Sequence, residues 1–147
     1  MEPKEELLVF CDGGARGNPG PGGAACVIWD QAGKKRFLCG KYFARITNNK
    51  AEYAAVKLAL ELIKKNYEGR KRITFFLDSK LVVNQLGGIY KVKDSQLREL
   101  IFEIRQLESS LGEIYYQHVS RDENKEADRL VNRTMDEGED FEQVLGT

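Results

Sequence analysis

Residues 7–30 read LLVFCDGGARGNPGPGGAACVIWD, two apolar stretches separated by a segment rich in glycine and proline. The first stretch, Leu7 to Cys11, predicts a buried strand that ends at Asp12, and the second predicts a strand from Gly23 to Asp30. A carboxylate at the end of a buried strand is unfavourable unless another group compensates its charge. Asp12 therefore needs a partner, and the rest of the chain indicates which kind.

The remaining chain predicts a third strand followed by alternating helices and strands. A strand from Lys35 to Phe43 follows a short turn, so the first three strands form an antiparallel meander. The later elements are a helix at residues 48–67, a strand at 72–78, a helix at 79–86, a helix capped at 94–95, a strand at 113–119 and a helix at 124–135. Helical crossovers favour parallel pairing of the first, fourth and fifth strands. We therefore expect an α/β fold whose five-stranded mixed sheet has three antiparallel and then two parallel strands, with helices on both faces.

Length and composition predict one globular domain without a membrane segment. The chain has 147 residues, of which 41% are hydrophobic and 31% charged, as is usual for a soluble domain. No stretch approaches the roughly 20 apolar residues that cross a bilayer, and no signal-type apolar run follows the charged N-terminus. We expect a monomeric, cytoplasmic protein with a single domain over residues 1–147, a core at about residues 5–137 and an acidic, loosely held tail at residues 138–147.

Charge and metal-ligand content argue against several kinds of site. The 23 basic and 23 acidic residues balance, so the chain lacks the strongly basic character typical of nucleic-acid-binding domains. It has three cysteines without CxxC spacing and one histidine, which argues against a zinc site and against disulfides. A bound metal would therefore be a hard ion held by oxygen ligands.

Four carboxylates occupy positions from which they can reach one site. Asp12 and Asp78 each end an apolar strand, and the carboxyl ends of neighbouring parallel strands face the same crevice of an α/β sheet. Glu52 and Asp128 lie on the apolar faces of their helices, where an acid is expected to point toward the interior or a site. Alternatively, Asp78 caps the next helix and Glu52 forms a capping box with Asn49. If the four acids converge, their repulsion requires cations, and two divalent ions are the usual equipment for phosphoryl transfer.

Four segments resemble the signature segments of type 1 ribonuclease H. They are CDGGARGNPGPGGAA, TNNKAEYAAVKLAL, LDSKLVVNQL and HVSRDENKEADRL, they occur in the family's order, and the resemblance extends from about Leu7 to Val131. It implies a ribonuclease H-like fold and an endonuclease that hydrolyses the RNA strand of RNA/DNA hybrids by a two-metal-ion mechanism, leaving 5′-phosphate and 3′-hydroxyl ends. The implied cofactor is Mg²⁺ or Mn²⁺, with two ions per active site. The matching catalytic and metal-binding residues are Asp12, Glu52, Asp78 and Asp128.

The same resemblance implies which residues meet the RNA/DNA hybrid. In this family the glycine-rich segment, here with Gly13 and Asn18, and the start of the first helix, here with Asn48 and Asn49, meet the RNA minor groove. The three asparagines would read 2′-hydroxyls, and Thr47 would contact a DNA phosphate. Short amides both donate and accept hydrogen bonds, which suits a 2′-hydroxyl. Asn48 is also a candidate for the N-cap of its helix, and the two roles are compatible.

Three features depart from other members of the family. The loop before Asp128 has Arg121 where many members have a histidine, and Arg121 could hold the scissile phosphate or pair with a nearby acid. The one histidine, His118, falls inside a predicted strand, which suggests a structural role. The connection at residues 87–93 is too short for the basic protrusion of some members, and Lys80 stands where relatives often have glutamine.

Two other functions remain open on this sequence. A non-catalytic or weakly active hybrid-binding module fits the net charge of zero and the missing protrusion, although the presence of all four acids counts against it. A resolvase or transposase core on the same scaffold would cut other nucleic acids, but the TNNKAE segment and the lack of DNA-binding appendages disfavour it. Comparing the cleavage of hybrid, duplex DNA and duplex RNA distinguishes these functions.

Overall fold

The computed structural model describes residues 5–30, 32, 34–88 and 91–146. In chain order the elements are β1 (Glu5–Ala15), β2 (Gly20–Asp30), β3 (Lys35–Ile46), α1 (Asn48–Asn66), β4 (Lys71–Leu77), α2 (Lys80–Leu86), α3 (Ser95–Leu111), β5 (Gly112–His118), a 3₁₀ turn (Arg121–Asn124), α4 (Lys125–Glu137) and β6 (Phe141–Leu145). Residues 89 and 90 of the short connection after α2 lie outside the described residues. None of the described helices is long and apolar enough to cross a membrane.

The strands form one six-stranded sheet in the order β5-β4-β1-β2-β3-β6. Strand β2 pairs with β1 and with β3 in antiparallel orientation, whereas the β1–β4 and β4–β5 pairs are parallel. The predicted α/β class, the meander and the parallel pairing of the first, fourth and fifth strands are therefore confirmed. The predicted number of strands is wrong, because the sheet has six strands rather than five.

The sixth strand lies in the C-terminal segment that was expected to be loosely held. Strand β6 pairs with β3 in antiparallel orientation, and the Phe141 ring lies 3.9 Å from the guanidinium carbon of Arg133 on α4. Gly138 adopts a left-handed φ of 64° and ends α4, which turns the chain back toward the sheet edge. Only five residues form this strand, so their own pattern is too short to predict it, and pairing with β3 stabilises it instead.

Strand β1 continues past Asp12, where the sequence pattern predicts its end. Gly13, Gly14 and Ala15 still pair with β2, whereas the pairing of β1 with β4 stops at Phe10. The glycines have low β propensity and predict a loop, but the ladder with β2 keeps them extended. Since β1 and β4 separate just before Asp12, a crevice opens at the carboxyl end of the two parallel strands.

Helices cover both faces of the sheet, as predicted. Helices α1, α2 and α3 form the larger core on one face, with Tyr53, Phe75 and Ile104 fully buried. The apolar side chains of Phe75 and Ile104 each contribute roughly 1.5–3 kcal/mol by their removal from water. Helix α4 packs on the opposite face, over β1, β2 and β3. Because α1 and α4 lie on opposite faces, Glu52 and Asp128 approach the end of β1 from opposite sides.

Candidate active site

The four predicted carboxylates line one cavity at the carboxyl end of the parallel strands. Asp12 belongs to β1, Asp78 directly follows β4, Glu52 lies in α1 and Asp128 lies in the first turn of α4. The cavity has a volume of about 430 Å³ and is lined by Asp12, Gly13, Asn48, Glu52, Asp78, Arg121 and Asp128. The structure therefore gathers all four acids together with three members of the predicted substrate-binding set.

Other residues cap the helices that begin beside this cavity. Ser79 Oγ accepts a hydrogen bond from the backbone of the first turn of α2 at 3.3 Å, so Asp78 is not the cap of α2. Thr47 Oγ1 accepts one from the first turn of α1 at 3.3 Å. Asn48 is therefore not the cap of α1, and Glu52 does not form a capping box with the residue three positions before it. The helix-capping interpretations of these residues are wrong, which leaves the two carboxylates to the cavity.

Gly13 allows β1 and α1 to approach each other closely. A side chain at this position would collide with the backbone of Ala51 and Glu52. The absence of a Cβ atom therefore brings the strand that carries Asp12 against the turn of α1 that carries Glu52. This contact explains why a glycine directly follows the first carboxylate.

Burial and mutual repulsion raise the pKa values of two of the carboxyl groups. The pKa of Asp12 rises from 3.8 to about 8, mainly through burial and then through the charge of Asp78, with smaller contributions from the other two acids. The pKa of Glu52 rises from 4.5 to about 7, again mainly through burial, although Ser79 and Arg121 lower it. The cavity therefore holds more negative charge than its protein surroundings compensate.

The oxygen ligands of this cavity suit divalent cations. Carboxylates are preferred ligands of Mg²⁺ and Mn²⁺, and Glu52 Oε2 is buried without a hydrogen-bond partner in the described part of the chain. Among the described residues, no three acidic, histidine or cysteine side chains are already close enough to hold one ion. The residues fit divalent cations, whose charge would remove the repulsion.

Two of the predicted asparagines connect the glycine-rich segment to the start of α1. Asn18 Oδ1 accepts a hydrogen bond from the Asn48 backbone at 3.0 Å, and Asn48 Oδ1 accepts one from the Ala15 backbone at 2.8 Å. Both carbonyl oxygens are thus used within the protein, and among the described residues nothing pairs with the two Nδ2 groups. The side chains therefore offer their Nδ2 hydrogen-bond donors to a ligand.

A second cavity, of about 710 Å³, adjoins the first because Asn48 lines both. Its lining residues are Asn18, Thr47, Asn48, Asn49, Lys50, Asp94, Ser95, Gln96 and Leu97. It contains the three predicted substrate-binding residues that are absent from the carboxylate cavity, Asn18, Thr47 and Asn49. The start of α3 forms the opposite wall, which the sequence analysis missed, because no local pattern indicates where α3 packs relative to α1.

Arg121 reaches the carboxylate cavity, whereas His118 does not line it. Arg121 comes from the 3₁₀ turn, and its charge lowers the pKa of Glu52. Within the described residues it makes no close ion pair with an acid, so its guanidinium donors remain available for a phosphate. His118 is the exposed last residue of β5, inside a strand as predicted, and Lys80 is exposed at the start of α2.

Comparison with known proteins shows sequence relatives over most of the chain. Residues 10–134 match the family model described as reverse transcriptase-like, a range that includes all four carboxylates. The chain is 38% identical over 132 residues to the bifunctional protein Rv2228c of Mycobacterium tuberculosis, which covers 89% of this chain and 36% of that protein. It is 30% identical over 136 residues to a ribonuclease HI of Helicobacter pylori, which covers 86% of this chain and 91% of that protein. The chain thus spans about a third of the length of its mycobacterial relative.

Solved structures share the fold as well. LC11-RNase H1 in complex with an RNA/DNA hybrid superposes with a TM-score of 0.83 at 36% identity, covering 90% of this chain and 98% of that one. RNase H1 from the halophilic archaeon Halobacterium salinarum superposes with a TM-score of 0.81 at 33% identity, with coverage of 90% and 98%. Sequence and fold therefore point to the same group of proteins.

Proposed function

Because this chain belongs to the ribonuclease H family, we propose that it is a metal-dependent endonuclease that hydrolyses the RNA strand of RNA/DNA hybrids. The observation that carries this proposal is the single cavity lined by Asp12, Glu52, Asp78 and Asp128. It is supported by LC11-RNase H1, a similar protein whose structure contains an RNA/DNA hybrid. The proposed products have 5′-phosphate and 3′-hydroxyl ends.

The four carboxylates are proposed to hold two Mg²⁺ or Mn²⁺ ions. When bound, such ions lower the pKa of an attacking water and stabilise the charge on the leaving oxygen of a phosphodiester. The protein supplies carboxyl oxygen ligands in a partly buried cavity. Since the pKa values of Asp12 and Glu52 are about 8 and 7 without cations, ion binding near neutral pH displaces protons from them, and affinity for the ions increases as the pH rises.

Selection of the RNA strand is assigned to the amide groups beside the carboxylates. Asn18 and Asn48 offer Nδ2 donors, and the 2′-hydroxyl of a ribose accepts such hydrogen bonds, whereas deoxyribose has no oxygen there. Arg121 is proposed to hold a phosphate next to the carboxylates, since its side chain lines the same cavity. Thr47, in the adjoining cavity, is proposed to contact a phosphate of the DNA strand.

The test is cleavage of an end-labelled RNA/DNA hybrid by the purified chain in Mg²⁺, in Mn²⁺ and in EDTA. We expect the RNA strand to be cut only when an ion is present, and duplex DNA and duplex RNA of the same sequence to stay intact. The 5′ ends of the products should resist kinase labelling until they are treated with phosphatase.

The matched variant is Asp12→Asn, which keeps the shape of the side chain and removes its charge. Mutating a residue that only supports a metal ligand lowers activity by up to about 100-fold. Because Asp12 is itself a proposed ligand, we expect the variant's cleavage rate to fall by more than that. Its hybrid binding in EDTA should remain. A wild-type chain that binds the hybrid and leaves it intact with both ions would contradict the proposal and favour the binding module.

A further inference from the structure

Asn124 stands at the N-terminal end of α4 but does not cap that helix. At the other helix starts the side chains of Thr47, Ser79 and Asp94 each accept a hydrogen bond from the first turn. Asn124 is the N-cap residue of α4, and it belongs to a residue type that favours this position, yet its side chain makes no capping hydrogen bond. The side chain of this asparagine is therefore used elsewhere.

The side chain instead bridges α4 to the strand that carries the first carboxylate. Asn124 Nδ2 donates a hydrogen bond to the backbone oxygen of Cys11 at 2.8 Å, and Cys11 directly precedes Asp12. Asn124 is only 1% exposed, and its Oδ1 is buried without a hydrogen-bond partner in the described part of the chain. Ser120 already caps the 3₁₀ turn that leads into α4, so helix capping does not explain this asparagine, and a buried acceptor without a partner lowers stability.

The hydrogen bond between Asn124 and Cys11 lies close in the chain to two of the carboxylates, Asp12 and Asp128. Asp128 lies four residues after Asn124, which is about one turn along the same face of α4. The hydrogen bond therefore joins the residue next to Asp12 to the helix start one turn below Asp128. Asp12 lies on β1 and Asp128 on the helix that packs over this strand, and among the described residues this is the one side-chain hydrogen bond that links β1 to the start of α4.

We propose that Asn124 is a positioning residue that sets the relative placement of Asp12 and Asp128, and thereby the affinity of the four carboxylates for divalent cations. This inference rests on the proposed function, since it assumes that the carboxylates hold Mg²⁺ or Mn²⁺. Asn124 itself acts only through the backbone oxygen of Cys11.

The test uses two substitutions that keep the fold by different means. Asn124→Leu keeps the number and branching of the side-chain heavy atoms and removes both the donor and the unpaired acceptor, and Asn124→Ser supplies a good helix cap that is too short to bridge to β1. The matched control is Thr134→Val, which removes another buried side-chain hydrogen bond of α4, from Thr134 Oγ1 to Leu130 O at 2.7 Å, near the far end of that helix.

The readouts are calorimetric titration of the full chain with Mn²⁺ and with Mg²⁺, urea denaturation in EDTA, and the kcat and KM for hybrid at several ion concentrations. We expect both Asn124 variants to remain folded and to bind the ions about 10–100-fold more weakly. Their kcat should fall at low ion concentration and recover at high concentration, with KM for the hybrid unchanged. Thr134→Val should bind the ions like the wild type.

Each other outcome gives a definite answer. Asn124 variants that bind the ions as tightly as the wild type, whatever their stability, would overturn the positioning role and leave the proposed function intact. A wild-type chain that binds neither ion would overturn the proposed function and this inference together. A wild-type chain that binds the ions without cutting the hybrid would overturn the activity alone, because calorimetry still measures the effect of Asn124 on ion binding.

Discussion

At the amino end of β4 one buried lysine is surrounded by acceptors, whereas beyond the carboxyl end of the same strand four carboxylates share a cavity. Lys71 Nζ donates hydrogen bonds to the carbonyl oxygens of Glu68 and Gly69 at 2.8 and 2.5 Å and lies 5.9 Å from the centre of the Tyr67 ring. The side chain is fully buried, and burial lowers its pKa. Nearby backbone oxygens and the charges of Glu5 and Glu68 compensate this charge.

The carboxylate end shows the opposite arrangement. The pKa values of Asp12 and Glu52 rise to about 8 and 7, and Glu52 Oε2 lacks a hydrogen-bond partner in the described part of the chain. The buried charge at the amino end of β4 is compensated by its surroundings, whereas the carboxylates beyond the carboxyl end repel one another. Such a departure from the stabilising pattern of the rest of the fold is expected at a binding site. Comparing the two ends therefore separates residues that stabilise the fold from residues that we propose to bind metal ions.

The largest expected difference between the two ends is in hybrid cleavage. Asp78→Asn removes one of the four charges without changing side-chain volume, and we expect the cleavage rate in Mg²⁺ to fall by at least about 100-fold. Lys71→Met, which keeps the apolar stem and removes the amine, should leave the rate per folded molecule unchanged. Single-turnover cleavage of a labelled hybrid measures both variants. Equal losses in the two variants would show that the ends are not functionally distinct.

The second prediction concerns stability and has the opposite pattern. Lys71→Met removes the charged donor of two partly buried hydrogen bonds, to the carbonyl oxygens of Glu68 and Gly69, so we expect the free energy of unfolding to fall by about 1–3 kcal/mol. Asp78→Asn, measured in the same urea titration in EDTA, should not be destabilised, because it relieves repulsion. If Lys71→Met were as stable as the wild type, the compensation of charge at this end would contribute nothing to the fold.

The smallest expected effect is a pH dependence of the metal-free protein. The folded pKa values of Asp12 and Glu52 lie above the ordinary 3.8 and 4.5, so the folded chain keeps protons that the unfolded chain releases between about pH 4 and pH 8. The contribution of these two groups to the free energy of unfolding in EDTA should therefore be most favourable below about pH 4. It should decrease as the pH rises through this window.

Asp12→Asn provides the control for that pH dependence. At pH 8 we expect it to exceed the wild type in stability by at least about 1.4 kcal/mol, the equivalent of one pKa unit, since partial solvent screening reduces the full effect. Urea titrations at several pH values measure the difference. An identical decrease with pH in the variant and the wild type would place the responsible groups elsewhere, and addition of Mg²⁺ should flatten the wild-type curve.

Local sequence patterns predicted the scaffold because their physical causes are local. The apolar runs that end at Asp12 and Asp78 and the helical spacing around Glu52 depend on residues a few positions apart. The same patterns failed where the stabilising partner is distant in sequence. Strand β6 forms by pairing with β3, and β1 extends past Asp12 because β2 pairs with it. The residues of each short segment carry no information about the distant strand that pairs with it.

The sequence by itself determined the order of the elements up to α4, the four carboxylates and the resemblance to the ribonuclease H family, because strand ends, helix faces and motifs are encoded by neighbouring residues. Only the tertiary structure decided how the side chains around the carboxylates are used. In the folded protein the Oδ1 atoms of Asn18 and Asn48 accept backbone hydrogen bonds, and Arg121 lines the carboxylate cavity. Asn124 donates to a backbone oxygen 113 residues away in the chain. Such hydrogen bonds join α4 and α1 to β1, and their geometry exists only after the helices have packed on the sheet.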